Sequence, residues 1–325
     1  MMRWLISLAG LICACSPIIE LARLPFTSEG APLAVDATNV YSGAGGVFAV
    51  PIAGGDPVLV GYPRPEGDLT LPRITAIAVD DQFVYATSQF GMWRFSKNGA
   101  VPPMRLVPDT SRLMATDGQF VYWGTYQYRG DIVDLIQAID VNGAGPVIPV
   151  LSINVTTPPP YGGLVAALSL DGNDLVFLAG ARVARMPKQG GPVEELFATT
   201  GDPLAMAVDS QHIVFATRPE PSKTRIFMLP KQSPFRVVQL MQTSLWVKSM
   251  AAASGRAWWT GWESAGGGSP EDNSPGVVFG CLREVNIPTG SGRTVSEDGT
   301  VFPAVAVNDS GVYWTEANKV LMVRR

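Results

Sequence analysis

A short apolar run ending in a small polar residue recurs along this chain. Clear copies are Leu33-Ala34-Val35-Asp36, Ile77-Ala78-Val79-Asp80, Met114-Ala115-Thr116-Asp117, Leu168-Ser169-Leu170-Asp171 and Met206-Ala207-Val208-Asp209. Two weaker copies follow, Ala251-Ala252-Ala253-Ser254 and Val305-Ala306-Val307-Asn308. The residue two before the polar terminator is small in all seven: Ala34, Ala78, Ala115, Ser169, Ala207, Ala252 and Ala306. Five or six residues past each terminator stands an aromatic: Tyr41, Tyr85, Tyr122, Phe177, Phe215, Trp259 and Tyr313. Agreement at two registered positions in seven copies marks an internal repeat, with a mean unit of about 42 residues from Ala31 onward.

Each unit reads as strands. β-Branched and aromatic second strands such as Phe83-Val84-Tyr85 follow a short turn, and third strands such as Arg182-Val183-Ala184-Arg185-Met186 follow those. A turn rich in Gly, Lys and Gln then leads to a fourth strand, as in Arg236-Val237-Val238-Gln239-Leu240. Four strands in a unit of this length make a propeller blade. The expected fold is all-β: a seven-bladed β-propeller of four-stranded antiparallel blades, one domain over residues 15–325. The small residue suits an inner strand crowded near the axis, and the terminal Asp or Asn suits a turn where its side chain accepts backbone N–H bonds. The seventh unit stops after its third strand, Lys319–Val323, while a spare strand-like stretch, Ile18–Leu24, precedes the first. Pairing the two ends closes the ring and removes the open edge.

Strand alternation then sorts the loops. Those between second and third strands, and between blades, share one face; they include 61–71, 126–131, 152–163, 218–223 and 262–276. Long loops on a rigid scaffold are where binding usually resides, tolerated insertion being the alternative. Tyr126, Tyr128, Tyr161 and Trp262 fall on these loops and are candidate contacts for a protein or carbohydrate partner, against packing over blade edges. Arg73, Arg112 and Lys248 stand near the starts of first strands, where they would crowd the channel mouth and attract an anion, with Asp202 as a partial offset. Solvated strand ends are the plainer reading.

The copies resemble the YWTD-type propeller repeat, most plainly in Val305–Asn308 followed by Val312-Tyr313-Trp314-Thr315, and are similar to repeats of bacterial secreted propeller lipoproteins. The likeness implies fold and no particular activity. At the amino terminus, Arg3 and the apolar stretch Trp4–Ile12 read as a secretory signal, too short to span a bilayer. Ile12-Cys13-Ala14-Cys15 resembles the bacterial lipobox, which implies cleavage before Cys15, acylation of that cysteine and an outer-membrane lipoprotein. Ordinary cleavage after Ala14 is the alternative. An acylated Cys15 would leave Cys281 without a partner for an internal disulfide.

Composition narrows the chemistry. The chain of 325 residues is 46% hydrophobic and 16% charged, with 34 Gly, 27 Pro and a net charge of −4. That excludes disorder, long helices and a nucleic-acid partner. The single histidine, His212, falls in a turn on the face opposite the long loops and excludes any site needing two imidazoles. No nucleophile elbow, phosphate loop or dinucleotide fingerprint is present. Glu271-Asp272-Asn273 is the one local group of oxygen ligands and lacks EF-hand spacing, and Asn154-Val155-Thr156 fits a glycosylation sequon. No metal or other cofactor is therefore expected. The functional expectation is a monomeric, membrane-anchored binding or scaffold propeller. A hydrolase or lyase with carboxylates near the channel mouth is the alternative.

Overall fold

The computed structural model describes residues 17–26, 31–129, 132–154, 165–180, 182–220, 222–232, 235–264, 278–298 and 304–325. Their regular structure is entirely β, in seven four-stranded antiparallel sheets. Six sheets take consecutive strands in chain order, from innermost to outermost, over residues 33–61, 76–107, 114–154, 165–198, 202–243 and 246–298. The seventh takes its three inner strands from 305–324 and its outer strand from Ile18–Arg23. Ile18 pairs with Val323, Ile19 with Met322 and Glu20 with Leu321, and the Leu24 N–H donates to the Asn318 carbonyl at 2.7 Å. The innermost strands contact one another in sequence around the axis, and the seventh (Val305–Val307) meets the first (Leu33–Val35). The fold is the expected seven-bladed propeller with its ring closed by the amino-terminal strand.

The repeat has its physical cause between blades. Successive residues of a strand point to opposite faces, and in a propeller each face abuts a neighbouring blade. In blade 5, Met206 and Val208 pack toward blade 4, in a cluster with Ala167 and Phe215. Ala205 and Ala207 of the same strand pack toward blade 6, with Met250 and Trp259. Blade 1 likewise turns Ala34 toward Ile77 and Val79 of blade 2. Each inner strand thus shows a small face to the next blade and a larger one to the previous blade, so bulk meets space at each junction. Unit six departs from the register read in the sequence. Ala252 lies with Met250 and Trp259 toward blade 5, while Ala251 and Ala253 face Val305 and Val307 of blade 7. Met250 pairs with Trp259 just as Met206 pairs with Phe215, so Ala251 is the true counterpart of Ala207. A run of three alanines conceals the shift.

The terminators cap the inner turns. One oxygen of Asp36 accepts the N–H groups of Thr38 and Asn39 at 2.7 and 2.8 Å, and the other accepts the Tyr41 hydroxyl at 2.9 Å. Asp80 and Asp117 repeat the arrangement with Tyr85 and Tyr122, and the single amide oxygen of Asn308 accepts the N–H groups of Ser310 and Gly311 and the Tyr313 hydroxyl alike. These turns also join blades. Lys97, Lys188 and Lys231, each following a third strand, reach Asp36, Asp117 and Asp171 of the preceding blade. His212 opens a second strand, and its backbone N–H donates to Asp209 at 2.7 Å.

Burial alone would raise the Asp36 carboxyl, but the bonds from Lys97, Thr38, Asn39 and Tyr41 outweigh it and hold the pKa well below the usual range. Asp117 and Asp209 are lowered by the same contest. A carboxyl depressed on folding adds stability above its unfolded value of about 4, and that stability is lost as pH falls through the folded value. We expect the thermal midpoint to drop below about pH 4. Asp36→Asn/Asp117→Asn should melt lower than wild type at pH 7 yet decline less on acidification. An equal acid decline in the double variant would refute this assignment.

Candidate functional site

The inner strands of all seven blades frame a central cavity of about 640 Å3, open at the end where those strands begin. Its lining includes Arg73, Arg112 and Lys248, brought together from blades 2, 3 and 6, and contains no carboxylate among the described residues. All three cations are exposed. Asp202, at the matching position in blade 5, points into solvent and pairs loosely with Arg218 at 3.5 Å.

A second cavity of about 450 Å3 opens beside the first, at the seam of blades 2 and 3. Arg73 and Arg112 border both. Its floor is tied by hydrogen bonds. The Thr75 and Thr87 hydroxyls donate to the Ser111 carbonyl at 2.6 and 2.8 Å, Ser88 donates to the Pro63 carbonyl, and Ser111 donates to the carbonyls of Leu113 and Gly124. The backbone N–H of Arg73 donates to the Gln89 side chain at 2.7 Å, and Gln89 in turn donates to the Leu71 carbonyl. Two blades are thereby locked where the arginines leave the backbone.

Blades 5 and 6 carry a different arrangement. Trp246 and Trp262, opposite one another on adjacent strands, stack with ring centroids 5.8 Å apart and planes 9° from parallel. The Arg218 guanidinium covers Trp246 at 3.3 Å from its centroid, and Lys248 Nζ lies 5.6 Å from that of Trp262. Gly261 permits this closeness, since a Cβ there would lie 2.7 Å from the Trp246 carbonyl. The charges of Arg218 and Lys248 are therefore partly engaged by indole faces.

Several loop expectations change. Residues 120–129 and 132–140 form one extended hairpin, so Tyr126 and Tyr128 lie in a strand and not a free loop. The pairing shifts between Gly124 and Gln127, which puts Tyr126 at an irregularity of the ladder. The 218–223 connection is likewise hairpin, with strands reaching Glu220 and resuming at Lys223. Trp262 sits in the strand Arg256–Ser264 and is only 6% exposed. Thr125, Ile132 and Val133 favour strand through the first of these segments, and Trp258, Trp259 and Trp262 through the last. Tyr161, Glu271–Asn273, most of 152–163 and of 262–276, and the amino-terminal segment with Cys15 lie outside the described residues. The 61–71 connection is a loop, with Leu69 and Leu71 exposed. Sequence reading missed Trp246 and the polar rim around Thr110, Gln89 and Thr125; the run Thr110-Ser111-Arg112 before an apolar strand was the available signal.

No protein-family model and no curated protein matches the sequence. Solved structures match in fold. The extracellular domain of BT4673 from B. thetaiotaomicron aligns with a TM-score of 0.66 at 12% identity, over 95% of this chain and 40% of that one. The chain thus spans well under half of that relative's length. A chain of a structure described as YCF48 bound to D1 peptide aligns with 0.61 at 10%, over 97% of each. A chain of a mitotic checkpoint complex aligns with 0.62 at 11%, over 100% and 99%. At these identities the matches show a shared propeller fold.

If Trp262 is a packing residue, Trp262→Ala should cost about 3–5 kcal/mol in urea unfolding. A variant with unchanged unfolding midpoint would return Trp262 to the role of a surface contact.

Proposed function

We propose that this protein is a non-enzymatic binding propeller that engages a protein or carbohydrate partner through the face bearing the channel mouth. The observation that carries the reading is the asymmetry of the two ends. At the turn end, Asp, Tyr and Lys side chains are largely spent on one another and on backbone. At the mouth, two adjoining cavities present exposed cations. Concave sites with a few convergent polar groups on a rigid scaffold suit recognition. That a propeller of like fold is recorded with a bound peptide is in keeping with this reading.

The anchoring belongs to the same proposal. A lipid on Cys15 would sit two residues before Pro17, and the strand Ile18–Arg23 begins at the turn end, antiparallel to Lys319–Arg324. An acylated chain would then hold that end toward the outer membrane and present the mouth outward. The proposal places the protein in the cell envelope as a monomer. The hydrolase or lyase alternative requires a carboxylate pair, and neither cavity has one among its described lining residues.

Photo-crosslinking tests the face. A benzophenone amino acid at Gln89 or Asp202 should capture the partner in intact cells, whereas one at Asp81 or Asp309 in the opposite turns should not. Capture from the turn positions alone would overturn the assignment, and intact-mass analysis showing unmodified Cys15 would end the anchor.

A further inference from the structure

The seam between blades 2 and 3 differs from the rest of the mouth in which groups remain unspent. The hydroxyls of Thr75, Ser88 and Ser111 already donate to carbonyls, and Gln89 is used on both of its ends. Lys248 and Arg218 lie on indole rings, and Arg218 also meets Asp202. The guanidinium groups of Arg73 and Arg112 have no ion-pair or hydrogen-bond partner among the described residues, and neither do the hydroxyls of Thr110 and Thr125 in the same wall. What remains in this cavity is therefore rich in donors and lacks any carboxylate to neutralise it.

We infer that the cavity between blades 2 and 3 is an oxyanion site in which Arg73 and Arg112 take a small ligand bearing carboxylate or phosphate groups. The inference deepens the binding-face proposal and rests on it. Guanidinium groups bind such oxyanions through two parallel N–H bonds, with geometric selectivity that an ammonium lacks. The two arginines rise from blades fixed by the Thr75–Ser111 and Thr87–Ser111 bonds, so their backbone origins are set before the ligand arrives. Such preorganisation lowers the ordering cost of binding. A volume of about 450 Å3 admits a sugar acid, a tricarboxylate or a sugar phosphate. Leu113 and Val165 supply apolar wall against the ligand's carbon frame. Hydroxyls at Thr110 and Thr125 can bond either the anion or a neighbouring ligand hydroxyl.

Calorimetric titration of the full chain at low salt with citrate, galacturonate, inorganic phosphate and neutral galactose tests the site. At least one anion should bind saturably at one per chain and weaken as salt is raised, while galactose should not bind. The arms also separate carboxylate from phosphate. Arg73→Ala/Arg112→Ala should weaken binding about tenfold or more with the thermal midpoint unchanged. Arg73→Lys/Arg112→Lys, which keeps the charge and loses the fork, should fall between. Lys248→Ala should change affinity less than about threefold, because Lys248 lines the central cavity and not this one and its exposed charge is screened. If no anion binds better than galactose, or the double alanine variant binds as wild type, the site is wrong. Crosslinking from Gln89 that persists while no anion binds would reject the oxyanion site and leave the binding face standing. Anion binding without such crosslinks would do the reverse.

Discussion

The structure depends on bulk meeting space at each junction between blades. Every inner strand presents residues such as Ala34, Ala78 and Ala207 to one neighbour and Ile77, Met206 or Met250 to the other. This polarity makes each contact head-to-tail, and head-to-tail contacts need a closed ring if no unsatisfied face is to remain. Closure comes from the last sheet, completed by Ile18–Arg23 alongside Lys319–Arg324. Leu21, Ala22 and Leu24 then bury against Val40, Phe48 and Tyr313, so the seal is apolar as well as hydrogen-bonded.

Packing the inner strands tightly also determines where chemistry can occur. At the turn end the strands are tied by Asp–Tyr bonds and by lysines reaching back one blade, leaving few free polar groups. At the opposite end the strands open, and the residues preceding them are free to carry charge. Arg73 and Arg112 precede their strands and Lys248 lies among the first residues of its own, at positions on which no repeat requirement falls. The same backbone rule that makes the scaffold uniform thus leaves the mouth to vary.

Much of the scaffold was legible because its constraints repeat. Blade number, the capping role of Asp36, Asp80 and Asp117, and the completion of the last blade all follow from positions that recur in register. The sixth unit was misaligned because Ala251, Ala252 and Ala253 offer no contrast in size, and only the pairing of Met250 with Trp259 reveals which one faces forward. Tyr126, Tyr128 and Trp262 fall where strand alternation with short blade strands puts loops, whereas long hairpins carry strand pairing through them. The cavity between blades 2 and 3 was half visible. Its arginines stood out as charges before apolar strands, but Gln89 follows the second strand of its blade and Thr125 lies within that of the next, and their meeting with Thr110 is a matter of three dimensions.

If opposed side-chain sizes at each junction hold the ring together, Ala207 and Met250 are energetically coupled, and a double-mutant cycle at the pair reads that coupling. Ala207→Leu should destabilise by about 1–3 kcal/mol through overpacking, and Met250→Ala should destabilise by about 2–5 kcal/mol through an unfilled space. Combined, the two should recover a large part of the loss in urea unfolding, giving a coupling above about 1 kcal/mol. Strict additivity would mean that the two faces do not share one space and that junction packing does not hold the ring.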